Sequence, residues 1–221
     1  MEYFVTGTDT EVGKTLVTAS LLHALRGRGE TAVGLKPVAS GAERRPEGLR
    51  NEDGQALLAA SSTGFSYEQI NPLVLEPAIA PHIAARDVGR ELSVSRLLSG
   101  ITPRPQADYH LIEGVGGWRV PLNDHETMED LALAIGAPVI LVVALRLGCL
   151  SHALLTADRI RAVGLPLTGW VATEPQPGQS RLDENFQTLE CHLDAPCLGR
   201  LDHTPSPKPE KLADRFDITR L

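Results

Sequence analysis

The 221-residue chain is poor in cysteine, has no excess of positive charge and carries no long hydrophobic run. Its three cysteines, Cys149, Cys191 and Cys197, are odd in number and show no Cys-x-x-Cys spacing. Neither a disulfide framework nor a zinc site is indicated, and buried or bystander thiols are expected. Lys and Arg number 21 against 28 Asp and Glu, a formal net charge of −7. Without a basic face to neutralise phosphates, nucleic acid is not an expected partner. The longest apolar run, Ala137 to Leu145, is too short to cross a bilayer and is followed by Arg146, so no membrane partner is expected either. Glu2 after Met1, with a loop beginning at Gly7, does not resemble a secretory signal peptide. A soluble, cytoplasmic protein with one large α/β domain over residues 1–221 is the expectation.

What the chain does have is concentrated near its start. Gly7-Thr8-Asp9-Thr10-Glu11-Val12-Gly13-Lys14-Thr15 follows a short apolar strand, Tyr3–Val5, and opens a helix-like run. A glycine-bounded turn between strand and helix presents backbone N–H groups and the positive end of the helix dipole. Lys14 adds a mobile cation and Thr15 a hydroxyl able to bind Mg²⁺, the usual means of cradling nucleotide phosphates. The loop is one residue longer than G-x-x-x-x-G-K-T, its first glycine being Gly7, with Thr8 at the strict position.

Apolar strand-like runs recur at Tyr3–Val5, Ala32–Leu35, Tyr109–Ile112, Val139–Val143 and Leu167–Val171. Helices are predicted over Lys14–Leu25, Asp53–Ala60, Met128–Ile135, Ser151–Ala162 and Leu182–Leu193. Val139–Val143 shows no polar alternation, as a parallel strand buried on both faces requires. The alternation of strands and helices predicts a doubly wound, mainly parallel sheet flanked by helices. Ligands on such sheets sit at the strands' carboxyl ends. The loops that matter therefore start near Gly7, Lys36, Glu113, Ala144 and Ala172. Thr204–Pro209 reads as a surface loop before a short C-terminal element.

Lys36, in Lys36-Pro37-Val38-Ala39-Ser40-Gly41, stands where a cation can stabilise charge on a transferring phosphoryl group, and Ser40 can hydrogen-bond a polar substrate. Glu113 is expected to end the strand Tyr109–Ile112 beside Gly114-Val115-Gly116-Gly117, a Walker-B-like setting. Thr15, Asp53 and Glu113 would suffice as protein ligands for Mg²⁺. Asp53 has an alternative role as a helix N-terminal cap. Gly148-Cys149-Leu150-Ser151 precedes a helix and can offer N–H groups to a carboxylate, unless Ser151 merely caps that helix.

These segments, together with Pro46-Glu47-Gly48-Leu49-Arg50-Asn51, Pro81-His82, Glu113–Trp118 and Gly169-Trp170-Val171-Ala172, closely resemble the dethiobiotin synthetase family across essentially the whole chain. The resemblance implies a P-loop NTPase-like fold and an ATP- and Mg²⁺-dependent cyclo-ligase of biotin synthesis. It also implies a homodimer with active sites at the subunit interface. The small-molecule substrates would be 7,8-diaminononanoate, CO₂ and ATP; the products would be dethiobiotin, ADP and phosphate, by way of a carbamate and a carbamic–phosphoric anhydride. Carried over residue by residue, Glu11, Val12, Gly13, Lys14, Thr15 and Leu16 would meet the nucleotide, with Glu11 at the ribose. Asp53, Glu113, Gly114, Val115, Gly116, Thr173 and Glu174 would complete that site. Lys14, Lys36 and Thr10 are the catalytic candidates. Thr10, Lys36 and Ser40 would face the diamine and its carbamate, and Gly148, Cys149, Leu150 and Ser151 of a partner subunit would receive the substrate carboxylate.

The chain departs from the family pattern at four places. Thr173-Glu174 replaces Asn-Asp, whose Asn reads adenine; one hydroxyl cannot reproduce an amide's paired donor and acceptor, which leaves other triphosphates open. Ser151 replaces a frequent Asn, Asn185 a Tyr of some members, and Val115 a frequent Ala. Competing readings are a P-loop switch ATPase, an amide-forming ligase of cobalamin synthesis and a second-copy synthetase with shifted substrate. The first usually carries an additional early Lys, where this chain has Thr8 and Asp9. The second needs a glutamine-hydrolysing domain for which 221 residues leave no room.

Overall fold

The computed structural model describes residues 1–221. The strand β1 (Glu2–Gly7) leads through the phosphate-type loop into α1 (Lys14–Gly27), then β2 (Ala32–Leu35). A peripheral segment follows: β3 (Val38–Ser40), the hairpin β4 (Glu43–Arg45) and β5 (Gly48–Arg50), α2 (Glu52–Ala60), α3 (Tyr67–Ile70), β6 (Leu73–Leu75), α4 (Pro81–Asp87) and α5 (Val94–Gly100). The chain then returns to the centre as β7 (Tyr109–Gly117), α6 (Met128–Ile135), β8 (Val139–Ala144), α7 (Cys149–Ala162), β9 (Leu167–Thr173), α8 (Leu182–His192), β10 (Cys197–Leu201) and the short α9 (Pro209–Leu212).

Six strands form one parallel sheet in the order β10-β9-β8-β1-β7-β2. Both neighbours of β1 come late in the chain, so β1 lies at the point where strand order reverses and a crevice opens at its carboxyl end. All six residues of β8 are buried. Leu141 and Val143 pack with Trp170, Cys149, Ala153 and Leu189 on one face, while Val139, Ile140 and Val142 join the larger core that includes α1. That two-sided burial is the physical content of the unbroken apolar run.

The predicted central elements are all present, to within a residue or two at most ends. The short β10 and the small pairings β3–β6 and β4–β5 were not foreseen, because three- to five-residue strands carry little periodic signal. One expectation needs correction: β7 does not end before Glu113 but runs on to Gly117. Val5 stands opposite Glu113 and Gly7 opposite Gly117, so between them β1 uses one residue, Thr6, and β7 uses three. The excess bulges residues 114–116 out of register at the carboxyl edge of the sheet.

Behind that bulge, Trp118 is anchored from a helix. Its indole N–H donates to Glu129 Oε2 at 2.7 Å, and Arg159 grips the same carboxylate with bonds of 2.8 and 2.6 Å. Glu129 is buried at 4 % exposure. The hydrogen bonds from Arg159 and from Trp118 hold its carboxyl below the usual range against the opposing effect of burial. A carboxyl lowered in the folded state stabilises the fold above its unfolded pKa and loses that contribution as pH falls through the folded one. Glu129→Gln is therefore expected to cost about 1–3 kcal/mol in urea unfolding at neutral pH. The gap between wild type and variant should close as pH drops below the ordinary glutamate value of 4.5; a gap independent of pH would remove the ionic contribution.

Candidate functional site

The loop after β1 is shaped by close approach. A Cβ on Gly7 would lie 2.5 Å from Val12 Cγ2, so only glycine lets the loop fold back on the strand. Gly13, with φ of 86°, caps α1 in the left-handed region, and Glu11 adopts φ of 58° two residues earlier. No side chain caps α1 and no acid lies in its first turn. The first N–H groups of a 14-residue helix thus face the crevice with their dipole uncompensated, an anion site by construction.

A cleft of about 870 Å³ opens there, lined among others by Thr10, Glu11, Gly13, Lys14, Thr15, Leu16, Lys36, Ser40, Asp53, Val115 and Gly116. The structure thus gathers onto one cavity residues from β1's loop, the end of β2, the start of α2 and the bulge of β7. Val12, Glu113 and Gly114 do not line it; Glu113 and Gly114 are bonded to Lys36, which does, and Val12 lies in the loop between Glu11 and Gly13. Lys36 Nζ sits 2.6 Å from Glu113 Oε1, 2.9 Å from Asp53 Oδ2 and 3.2 Å from the Gly114 carbonyl. Thr15 Oγ1 donates to the same Glu113 oxygen at 2.7 Å. Burial works against the charged form of Lys36, but the ion pairs with Glu113 and Asp53 overcome it and raise its pKa. Burial likewise works against ionised Asp53, and the Lys36 pair lowers its pKa on balance. Lys14, whose Nζ donates to the Asp9 carbonyl at 2.9 Å, is brought down to about 8 by burial and by the neighbouring Lys36.

Two alternatives left open by the sequence are resolved. The cap of α2 is Asn51, whose side chain accepts from the N–H groups of Asp53 and Gly54; Asp53 does not cap, and pairs with Lys36. The cap of α7 is Gly148, in the left-handed region and with no side-chain bond; Ser151 is an exposed residue inside the helix. Gly148, Cys149, Leu150 and Ser151 do not line the cleft of their own chain. Thr173 and Glu174 stand at the end of β9. The Thr173 hydroxyl is buried and donates to the Val12 carbonyl at 2.7 Å, supporting the phosphate-type loop from the sheet side. Glu174 accepts from the His203 N–H at 3.3 Å.

The donor set suits a divalent cation. Glu113 Oε2 is buried with no hydrogen-bond partner, an acceptor that a cation would satisfy. Two carboxylates and a threonine hydroxyl are hard oxygen donors, too few for an all-protein cage and appropriate to Mg²⁺ that shares its shell with phosphate and water. No group of three or more His, Cys, Asp or Glu offers a competing protein-only site.

The fold and this crevice define a P-loop nucleoside-triphosphate-binding protein. The cell division ATPase MinD of Pyrococcus furiosus superposes with a TM-score of 0.57 at 20% identity, over 97% of this chain and 94% of its own. A ParA family ATPase from Chlorobium tepidum TLS gives 0.54 at 13%, over 92% and 84%. These likenesses are of fold. A family model described as an AAA domain matches residues 1–211. Sequence relatives are far nearer. The ATP-dependent dethiobiotin synthetase BioD of Pseudomonas paraeruginosa (strain DSM 24068 / PA7) is 52% identical over 221 residues, 99% of this chain and 97% of its own. That of Cellvibrio japonicus (strain Ueda107) is 49% identical over 220 residues, 99% and 96%. The chain belongs to the ATP-dependent dethiobiotin synthetase family, the ATP-dependent ligases of biotin biosynthesis.

Sequence reasoning missed two side chains at this site: Asn51, which lines the cleft, and Asn71, whose amide donates to the Lys36 carbonyl at 2.7 Å. Asn51 stood within a family-like segment, the one signal that could have found it. Loss of the Thr173 strut is testable apart from either. Thr173→Val removes one hydrogen bond, about 0.5–1.5 kcal/mol, so nucleotide binding should weaken roughly two- to tenfold by calorimetry while Thr173→Ser stays near wild type. Equal affinities for Val and wild type would mean the loop holds its shape without the strut.

Proposed function

We propose that this chain closes the ureido ring of dethiobiotin from 7,8-diaminononanoate and CO₂, converting ATP to ADP and phosphate. The observation that carries the reading is the convergence, on one cleft, of an uncapped helix start with two lysine ammoniums and two carboxylates, Glu113 buried and Asp53 half-buried. One amine of the diamine adds to CO₂ and loses a proton, giving a carbamate. The carbamate oxygen attacks the γ-phosphorus and ADP departs, leaving a carbamic–phosphoric anhydride. The second amine attacks the activated carbonyl, loses its proton and expels phosphate. No enzyme nucleophile is required, because the substrate supplies both attacking groups; the protein contributes position and charge.

In this scheme the N–H groups opening α1 would receive the phosphates, joined by Lys14, whose charged form is favoured as the polyanion arrives. Lys36 would neutralise charge on the transferring group, and Thr10 and Ser40 would orient the diamine and carbamate beside it. Thr15, Asp53 and Glu113 would hold Mg²⁺, which when bound screens the phosphate oxygens and aligns them for in-line transfer. Glu11 would approach the ribose. Triphosphates other than ATP remain admissible, since the Thr173 hydroxyl is already engaged with the Val12 carbonyl. The active unit would be a cytoplasmic homodimer. The uncapped start of α7, absent from its own chain's cleft, supports the reading that it receives the substrate carboxylate in a partner's site.

The direct test is the product, by mass spectrometry, from diaminononanoate, bicarbonate, Mg²⁺ and each triphosphate in turn. Dethiobiotin is expected with wild type and a loss of at least about 100-fold with Lys36→Met; no product with any triphosphate would refute the reaction. For the metal, Glu113→Gln should move the Mg²⁺ activation midpoint up by about tenfold or more. An unchanged titration would remove Glu113 from the metal's shell.

A further inference from the structure

Asn51 satisfies every hydrogen-bonding group of its side chain, and does so between two parts of the cleft. Its Oδ1 accepts from the N–H of Asp53 at 3.0 Å and of Gly54 at 3.4 Å. Its Nδ2 donates to the carbonyls of Ser40 at 3.0 Å and Gly41 at 3.2 Å. The amide can face only one way, because a flip would set N–H against N–H and C=O against C=O. Its backbone N–H donates to Tyr67 Oη at 2.8 Å, Tyr67 Oη donates to Asn71 Oδ1 at 3.0 Å, and Asn71 holds the Lys36 carbonyl. One connected network thus ties Ser40, Asp53 and Lys36 together. Asn51 itself is 7% exposed, on the cleft wall.

Capping alone does not call for asparagine. Aspartate and serine cap helices as well as asparagine does, but neither can also donate two hydrogen bonds to carbonyls. The donors reach the end of β3, where Ser40 lies immediately before the exposed β4–β5 hairpin; the acceptor reaches the turn of α2 that carries Asp53. Without the donors, the turn after Ser40 keeps the β3–β6 ladder on one side and its bonds to the 75–77 segment, from the Gly41 N–H to the Pro77 carbonyl and from the Ala42 N–H to the Leu75 carbonyl.

We infer that Asn51 is a positioning residue that fixes Ser40 relative to Asp53, and so the amine-bearing substrate relative to the phosphoryl group, by joining the end of β3 to the start of α2 through one side chain. The assignment of substrate to Ser40 rests on the proposed function; the joint itself does not. Its two halves can be separated by substitution, since Asn51→Asp keeps the capping acceptor with no donor and Asn51→Ser keeps it with a single hydroxyl proton on a shorter side chain in place of the two amide N–H groups, whereas Asn51→Ala loses both halves.

Hydrogen exchange on the protein without ligands reads the joint. In Asn51→Ser, and in Asn51→Asp should Ser perturb folding, the Gly41 and Ala42 amides should exchange about tenfold faster while Asp53 and Gly54 keep wild-type protection. Asn51→Ala should release both segments. In turnover, Asn51→Ser should raise KM for the diamine about tenfold with the Mg²⁺ activation midpoint within about twofold of wild type. Exchange at Gly41 and Ala42 equal to wild type overturns the joint. Faster exchange with an unchanged diamine KM overturns its role in substrate placement. Wild type that makes no dethiobiotin sinks the reaction instead, and the exchange result still decides the joint.

Discussion

The ammonium of Lys36, buried between Glu113 and Asp53, is the contact on which the geometry of the cleft depends. Lys36 is 1% exposed and Glu113 fully buried, so each charge has given up water and is tolerable only with its partner in place. Removing one partner of such a pair typically costs about 3–5 kcal/mol, because the other is left buried and uncompensated. The requirement acts on the backbone. The end of β2, the middle of β7 and the first turn of α2 come from distant parts of the sequence, yet must meet to within about the length of a hydrogen bond. Main-chain bonds enforce this: the Lys36 N–H donates to the Ile70 carbonyl at 2.7 Å, and Asn71 holds the Lys36 carbonyl from the same short turn.

Around that ion pair, the phosphate-type loop is held from both sides of the sheet. Gly7 permits the fold-back, Thr173 donates to the Val12 carbonyl from β9, and Thr15 donates to Glu113 from α1. Lys14 and Lys36 balance Asp53 and Glu113, so the cluster is close to neutral before any ligand enters. A neutral cluster does little to attract a polyanion over distance; what it offers is local, in aligned N–H groups and in ammoniums whose positions are already set. Such preorganisation suits a reaction in which the substrate brings its own nucleophiles.

The central strands were legible in the sequence because a run such as Val139–Val143, buried on both faces, has no polar interruption to misread. The phosphate-type loop was legible because glycine, lysine and threonine fall between a strand and a helix in a fixed order. The course of β7 past Glu113 was not. Its continuation is made of glycines and Val115, which carry no strand periodicity, and the bulge follows from the register with β1, which is a tertiary fact. Asp53 was ambiguous for a different reason: Asn51 and Asp53 are both good caps two residues apart, and only the structure shows which carboxylate or amide turns inward. The network through Asn51, Tyr67 and Asn71 left no spacing signal at all, since all but one of its bonds are made to backbone groups.

On the proposed function, nucleotide selection would follow from where the polar groups are spent. The Thr173 hydroxyl has one proton, and it is bonded to the Val12 carbonyl. A base reaching this end of β9 would meet a threonine whose donor is already used, so reading a base by a matched donor and acceptor would require other residues. The phosphate side differs: the uncapped start of α1 presents N–H groups with no side-chain competitor, and Lys14 donates only to the Asp9 carbonyl, whereas Lys36 is already engaged by Glu113, Asp53 and the Gly114 carbonyl. On the proposed function, affinity concentrated on the phosphates and weak on the base would give little free-energy difference between triphosphates, because specificity is a difference of affinities and the phosphates are common to all. Discrimination between substrates would then fall to the other half of the cleft, where Ser40 and Asp53 are held at a set separation by a single asparagine.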